Sequence, residues 1–166
     1  DWTYALSGAN TITAACENTD DSCPNTNGGS VTISAPTSLA YDGNDKPATL
    51  DNSLVSGITA PTITYTKDGS STGTPRNAGS YTASIRLGNT TASVTYTIEK
   101  ADPSVSAPTV SATYGQKLSE LTLTNPTGNM AGSWSWVNDK QSVGDVGRNT
   151  FKATFTPSDT GNYNTV

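Results

Sequence analysis

The stretch "SYTASIRLGNTTASVTYTIEK", residues 80–100, constrains the fold more than any other. Tyr81, Ala83, Ile85 and Leu87 fall on one side of a two-residue period, and Thr82, Ser84 and Arg86 on the other. After the turn "GNT" the alternation resumes, with Ala92, Val94, Tyr96 and Ile98 inward. Side chains in a β-strand point alternately to opposite faces, so this pattern describes two strands that each bury one face. A Gly-containing break between them makes the pair a hairpin. Such a hairpin sets the expectation of an all-β unit with a small core of its own.

Shorter runs of the same kind fill the rest of the chain. "DWTYAL" and "NTITAAC" read as the first strands, with Ile12, Ala14 and Cys16 sharing a face. "GGSVTISA" follows with Val31 and Ile33 inward, and Leu39 and Tyr41 precede a turn at "DGND". "APTITYTKDG" places Ile63 and Tyr65 on one face and ends in the hairpin signal Asp68-Gly69. Composition agrees. The hydrophobic fraction is 33%, low enough to raise disorder, but only 14% of residues are charged and 15 are glycine. Disorder usually needs high charge, whereas Thr, Val, Tyr and Ile concentrated between Gly, Asn, Asp and Pro mark an all-β chain rich in turns.

The pattern occurs twice. "GTPRNAGSYTASIRL", residues 73–87, and "SVGDVGRNTFKATF", residues 142–155, each run a Gly turn into an aromatic and then an alternating strand. "APTSLAYDGNDKPATL" is echoed by "APTVSATYGQKLSELTL". Between the two copies, "EKADPSVSAP" carries Pro103 and Pro108, which cannot sit in a central strand, and a short linker is expected near Lys100 to Asp102. The expected organisation is a module over 1–100 and a second over 101–166, with 1–34 either completing the first or forming an accessory segment. The second module is expected to lack its last strand, because Phe151 to Thr156 is followed only by "PSDTGNYNTV". The start at Asp1-Trp2, without a signal peptide, reads as an internal fragment or a processed chain.

Charge and inventory exclude several functions. The formal net charge is −5 and the nine basic residues are scattered, which argues against nucleic acid and against an anionic membrane surface. No run is long and apolar enough for membrane insertion as a helix. Without histidine there is no Ser-His-Asp or Cys-His arrangement, and the carboxylates sit mostly in turns, so no catalytic residues, metal ligands or cofactors are expected. Cys16 and Cys23 bracket the polar loop "ENTDDS". A disulfide across that loop is the expectation, against a metal or redox pair, because no other ligand pair follows and the spacing is not Cys-x-x-Cys. It would place the chain in an oxidising compartment.

"LAYDGNDKPATL" resembles the mostly-bacterial immunoglobulin-like modules known as MBG or YDG/YGX repeats. So, more fully, does residues 107–166, through Tyr114-Gly115, Trp134-Ser-Trp136, Val143-Gly144, Val146-Gly147, Phe151, Phe155-Thr-Pro157 and Asn162-Tyr163. The first unit matches more loosely, through Tyr41-Asp42-Gly43 and Ala78-Gly79-Ser-Tyr81. The resemblance implies two tandem immunoglobulin-like β-sandwich modules in a large secreted or wall-anchored bacterial surface protein. Its partners would be neighbouring modules of the same chain, and host or glycan ligands. No catalytic residues are attributed to such modules.

Four groups invite a sharper function. Trp134 and Trp136 alternate onto one face, where they form either a platform for stacking on sugar rings or the filling of a small core. Asp42 and Asp45 flank a Gly turn, suggestive of calcium, but the oxygens a calcium loop needs are missing and a plain turn is favoured; Asp20-Asp21 reads as a solvated tip. Lys100, beside Glu99, and Lys152 are candidates for a Lys–Asn side-chain link, although a linker residue and a polar-face residue explain them more simply. Tyr81 and Phe151 are expected at equivalent core positions. The expectation is a non-catalytic structural or adhesive spacer outside the cell, with a carbohydrate-binding module as the alternative.

Overall fold

A computed structural model describes residues 1–17 and 27–166. The all-β fold is the one observed. The described residues form ten strands and a single 3₁₀ turn, Leu118–Glu120, and divide into two compact units, Asp1–Glu99 and Lys100–Val166.

The first unit is built from two four-stranded sheets. One is the meander β1 (Trp2–Leu6), β2 (Thr11–Cys16), β3 (Asn27–Ser34) and β4 (Thr49–Asn52), in that spatial order. The other holds β5 (Thr64–Lys67), β6 (Ser70–Thr72), β7 (Gly79–Leu87) and β8 (Thr90–Ile98) in the order β6-β5-β7-β8, and all paired strands are antiparallel. The long hairpin pairs Tyr81 with Tyr96 and Leu87 with Thr90, which leaves a two-residue loop opened by Gly88 at φ 55°. Asp68 and Gly69 close the β5–β6 hairpin with φ of 51° and 77°, the doubly left-handed turn that an Asp-Gly pair favours.

Alternation explains the core. Ile12, Val31 and Ile33 from the first sheet meet Tyr81, Ala83, Ile85, Leu87, Ala92, Tyr96 and Ile98 from the second, all buried. Residues 1–17 and 27–34 therefore belong to the first unit, because β1, β2 and β3 supply three of the four strands of one layer. The segment Leu39–Tyr41 extends the second layer: Tyr41 N–H donates to the Glu99 carbonyl and Glu99 N–H to that of Leu39, a parallel pairing at the end of β8.

Tyrosines close the interior from the side. Tyr96 Oη donates to the Lys46 carbonyl at 2.7 Å, the Ala48 amide donates to Tyr65 Oη at 3.1 Å, and Tyr81 Oη donates to the Asn77 carbonyl at 3.0 Å. Each ring buries its body while its polar tip is satisfied by backbone. The tip of Tyr96 is sealed well enough that burial, reinforced by Tyr65 and Tyr81, pushes its phenol up to about 12.

The second unit is sparser. Its sheet pairs β9 (Gly132–Trp136) with β10 (Ala153–Pro157). Around it, Lys117 bridges Ser142 and Ala101 bridges Tyr163. This corrects the linker expectation. Ala101 exchanges backbone bonds with Asn162 and Asn164, Lys100 Nζ donates to the Thr160 carbonyl, and Asn164 Nδ2 donates to Asp102. Pro103 is buried.

Candidate functional site

The groups singled out for ligand binding lie on the two-stranded sheet of the second unit. Trp134 stands opposite Phe155 and Trp136 opposite Ala153, so all four side chains share the inner face. The Trp134 and Phe155 rings are 5.2 Å apart, and Trp136 meets Phe151 edge-on at 6.3 Å. Phe155 is fully buried, and both indoles are half-buried. Its ring lies over Gly132, where a Cβ would come within 2.3 Å of it. Only glycine leaves room for that approach.

Both indole N–H groups are engaged. Trp134 Nε1 donates to Asn125 Oδ1 and Trp136 Nε1 to the Leu121 carbonyl, each at 3.1 Å. Asn125 is in turn held by Asn129, whose amide donates to it at 3.0 Å and whose side chain spans the Ser106 backbone. Sequence reasoning missed Asn125 and Asn129; an Asn-rich turn five residues ahead of a Trp-Ser-Trp strand was the only signal. Beside these rings lies a cavity of about 360 Å³, whose lining includes Pro108, Leu123, Trp134, Trp136, Phe151 and Ala153 and also Val137 and Lys152. It adjoins a wider groove of about 700 Å³ that includes Val110, Tyr114, Leu118 and Val143.

Tyr81 and Phe151 are less alike than expected. Tyr81 is buried within β7, whereas Phe151 precedes β10 and is half-buried. The fully buried aromatic of the second unit is Phe155, because it lies between Trp134 and Gly132.

The "YDG" turn forms a clamp. Asp42 Oδ1 accepts the Asn44 amide, and Asp42 Oδ2 accepts from Lys46 Nζ at 2.7 Å. Lys46 is the only buried charged or polar side chain among the described residues, and Ser38 also accepts from it at 3.4 Å. The Lys46 ammonium, with the Asn44 amide, holds the Asp42 carboxyl below its ordinary value. The exposed Asp45 takes no part, and Asp20 and Asp21 lie outside the described residues. Among the described residues no three His, Cys, Asp or Glu side chains gather to hold a metal.

Neither lysine is placed for a side-chain link. Lys100 donates to a carbonyl and Lys152 is exposed. Cys16 ends β2 half-buried and is not a free thiol, while Cys23, its expected partner, lies outside the described residues.

No buried side-chain nitrogen or oxygen among the described residues lacks a partner. No protein-family model, curated protein or solved structure matches the chain.

Proposed function

We propose that the chain is a non-catalytic structural or adhesive spacer from a large bacterial cell-surface protein, working outside the cell beside other immunoglobulin-like modules. One observation carries this reading: six polar side chains are spent on holding the fold's own backbone and side chains. Three tyrosine hydroxyls, both Trp134 and Trp136 indoles, and Lys46 all bind the fold itself. A Cys16–Cys23 bridge closing the loop "ENTDDS" belongs to the same reading, since it requires an oxidising compartment. Intact mass after alkylation without reductant tests it, and uptake of two alkyl groups by the native chain would refute the bridge.

The alternative, a carbohydrate-binding module, draws on the open cavity beside Trp136. It is less well supported, because sugar platforms present free ring faces and these rings pack against Phe151 and Phe155. A glycan array read together with tryptophan fluorescence separates the two. Saturable binding that Trp136→Ala abolishes, with the melting curve unchanged, would replace the spacer reading by the carbohydrate one.

A further inference from the structure

Asn89-Thr90-Thr91, at the tip of the long hairpin, is an Asn-x-Thr tripeptide, the acceptor pattern for a sugar on an asparagine side chain. Among the other asparagines only Asn125 has Ser or Thr two residues on, and Pro126 between them spoils that pattern. Asn89 sits in the two-residue loop Gly88-Asn89 that joins Leu87 to Thr90. Gly88 supplies the left-handed backbone of this turn at φ 55°, and Asn89 does not share it, so the turn demands the glycine and not the asparagine. The tripeptide divides between two faces. Thr90 is half-buried and turns inward, where its Oγ1 donates to the Tyr4 carbonyl at 2.7 Å. The Tyr4 ring covers the same side of the tip, within 2.9 Å of where a Cβ on Gly88 would stand. Asn89 and Thr91 are exposed. On the outer face Arg86 stands opposite Thr91 and reaches over the turn, Nε donating to the Gly88 carbonyl at 2.9 Å and Nη2 to Asn89 Oδ1 at 3.1 Å. That grip takes the oxygen of the Asn89 amide. Its nitrogen and the Thr91 hydroxyl make no hydrogen bond to any described residue.

We propose that Asn89 is a site of N-linked glycosylation, and that the first unit carries its sugar on the outer side of this hairpin tip. The donor is a sugar activated through a phosphate on its anomeric carbon, and the catalyst is a glycosyltransferase that reads Asn-x-Thr. A bond forms from Asn89 Nδ2 to the anomeric carbon, and the bond from that carbon to the phosphate oxygen breaks. The phosphate compound leaves with the electron pair, and the amide nitrogen gives up one proton. The atom that reacts is the one Arg86 leaves free, and the hydroxyl that completes the pattern is equally open. Attachment costs the fold nothing it uses. The substituted amide keeps its carbonyl, so Arg86 keeps its hold on Oδ1, and the sugar projects away from Tyr4 and the core. The inference does not rest on the spacer reading: a chain that meets such an enzyme is modified at this tripeptide whatever its task.

The test uses the full chain isolated from the cells that make it. Trypsin cuts after Arg86 and Lys100, and the peptide 87–100 holds Asn89 as its one asparagine. That peptide should carry the added mass of a sugar, and electron-transfer fragmentation should place it on Asn89. A single sugar marks a nucleotide-linked donor, and a longer glycan a lipid-linked one. Thr91→Val removes the hydroxyl, keeps a β-branched side chain at an exposed position and should abolish the sugar completely. Thr91→Ser should keep it. Circular dichroism of both variants should match that of the parent chain, which separates loss of the acceptor from loss of the fold. An unmodified peptide 87–100 in the native protein would overturn the proposal. So would a sugar on Thr90 or Thr91 in place of Asn89, or a sugar on Asn89 that survives Thr91→Val.

Discussion

The two units solve the same problem with different means. In Asp1–Glu99, twelve buried apolar side chains, all but Ala48 from two facing sheets, form one cluster. In Lys100–Val166, the buried apolar side chains other than proline are Leu118, Val143 and Phe155 among the described residues. Exposure runs the other way: Leu6 is the large exposed apolar residue of the first unit, against Val110, Tyr114, Val137, Val146 and Val166 in the second. Burial of apolar surface is the main stabilising term of folding, so the first unit holds itself by its core. The second depends on an aromatic cluster and on side chains that grip the fold around it, and it leaves more of its large apolar side chains exposed.

The largest expected effect breaks the weaker unit alone. Phe155→Ala should cost the second unit about 3–5 kcal/mol, enough to unfold it while the first survives. Denaturant titration followed by tryptophan emission, which reports mainly on Trp134 and Trp136, and by far-UV circular dichroism would show the two transitions part. Phe151→Ala, at a half-buried position, should cost about 1–2 kcal/mol. Equal losses at the two positions would mean that Phe155 is not the centre of that core.

A smaller change sharpens the comparison from the other side. Tyr96→Phe removes the hydroxyl that donates to the Lys46 carbonyl and should cost the first unit about 1–2 kcal/mol, since the carbonyl stays buried without its donor. The second unit's transition should not move. A shared shift would show that the units do not unfold separately.

Smallest and most specific are the pH effects, both confined to the first unit. The Tyr96 phenol titrates near 12 in the fold and at 10.0 once exposed. Its contribution is therefore complete below pH 10.0 and is lost as pH rises toward 12, and Tyr96→Phe should flatten that alkaline loss. Asp42 is shifted the other way, so its contribution is present above its ordinary value of 3.8 and fades as pH falls through the lower folded value. Asp42→Asn should remove that acid-side dependence, as read from melting temperature against pH.

Much of the first unit was legible because its information is local. Alternation in β7 and β8 names the inward residues whatever lies opposite, and Asp68-Gly69 specifies its turn without help. What could not be read depends on distant partners. Nothing near Leu39 indicates a parallel pairing with Glu99, and nothing about Lys46 suggests burial until the tyrosines are seen to close over residues 46–48. In the second unit the Trp134 and Trp136 face was readable from spacing. Which phenylalanine lies under them was not, since that depends on the β9–β10 register and on the space above Gly132. The prolines after Glu99 correctly marked the end of a strand, but a break in pairing and a loose tether look alike in sequence, and Ala101 belongs to a packed unit.

The meander order of the first sheet has a mechanical consequence. β1 is an edge strand, bonded within its sheet only to β2, which runs antiparallel to it from Trp2 opposite Cys16 to Leu6 opposite Ile12. Tyr4 lies against Thr90 and Ala9 against Ser93, so β1 and β8 run the same way, and a pull between Asp1 and Glu99 acts along β1 and loads the rungs of its ladder together, in shear. Outside its sheet, the bond from Thr90 Oγ1 to the Tyr4 carbonyl holds the middle of β1. Under tension between its ends the unit should therefore hold its length as a stiff strut until the β1 ladder ruptures as a whole.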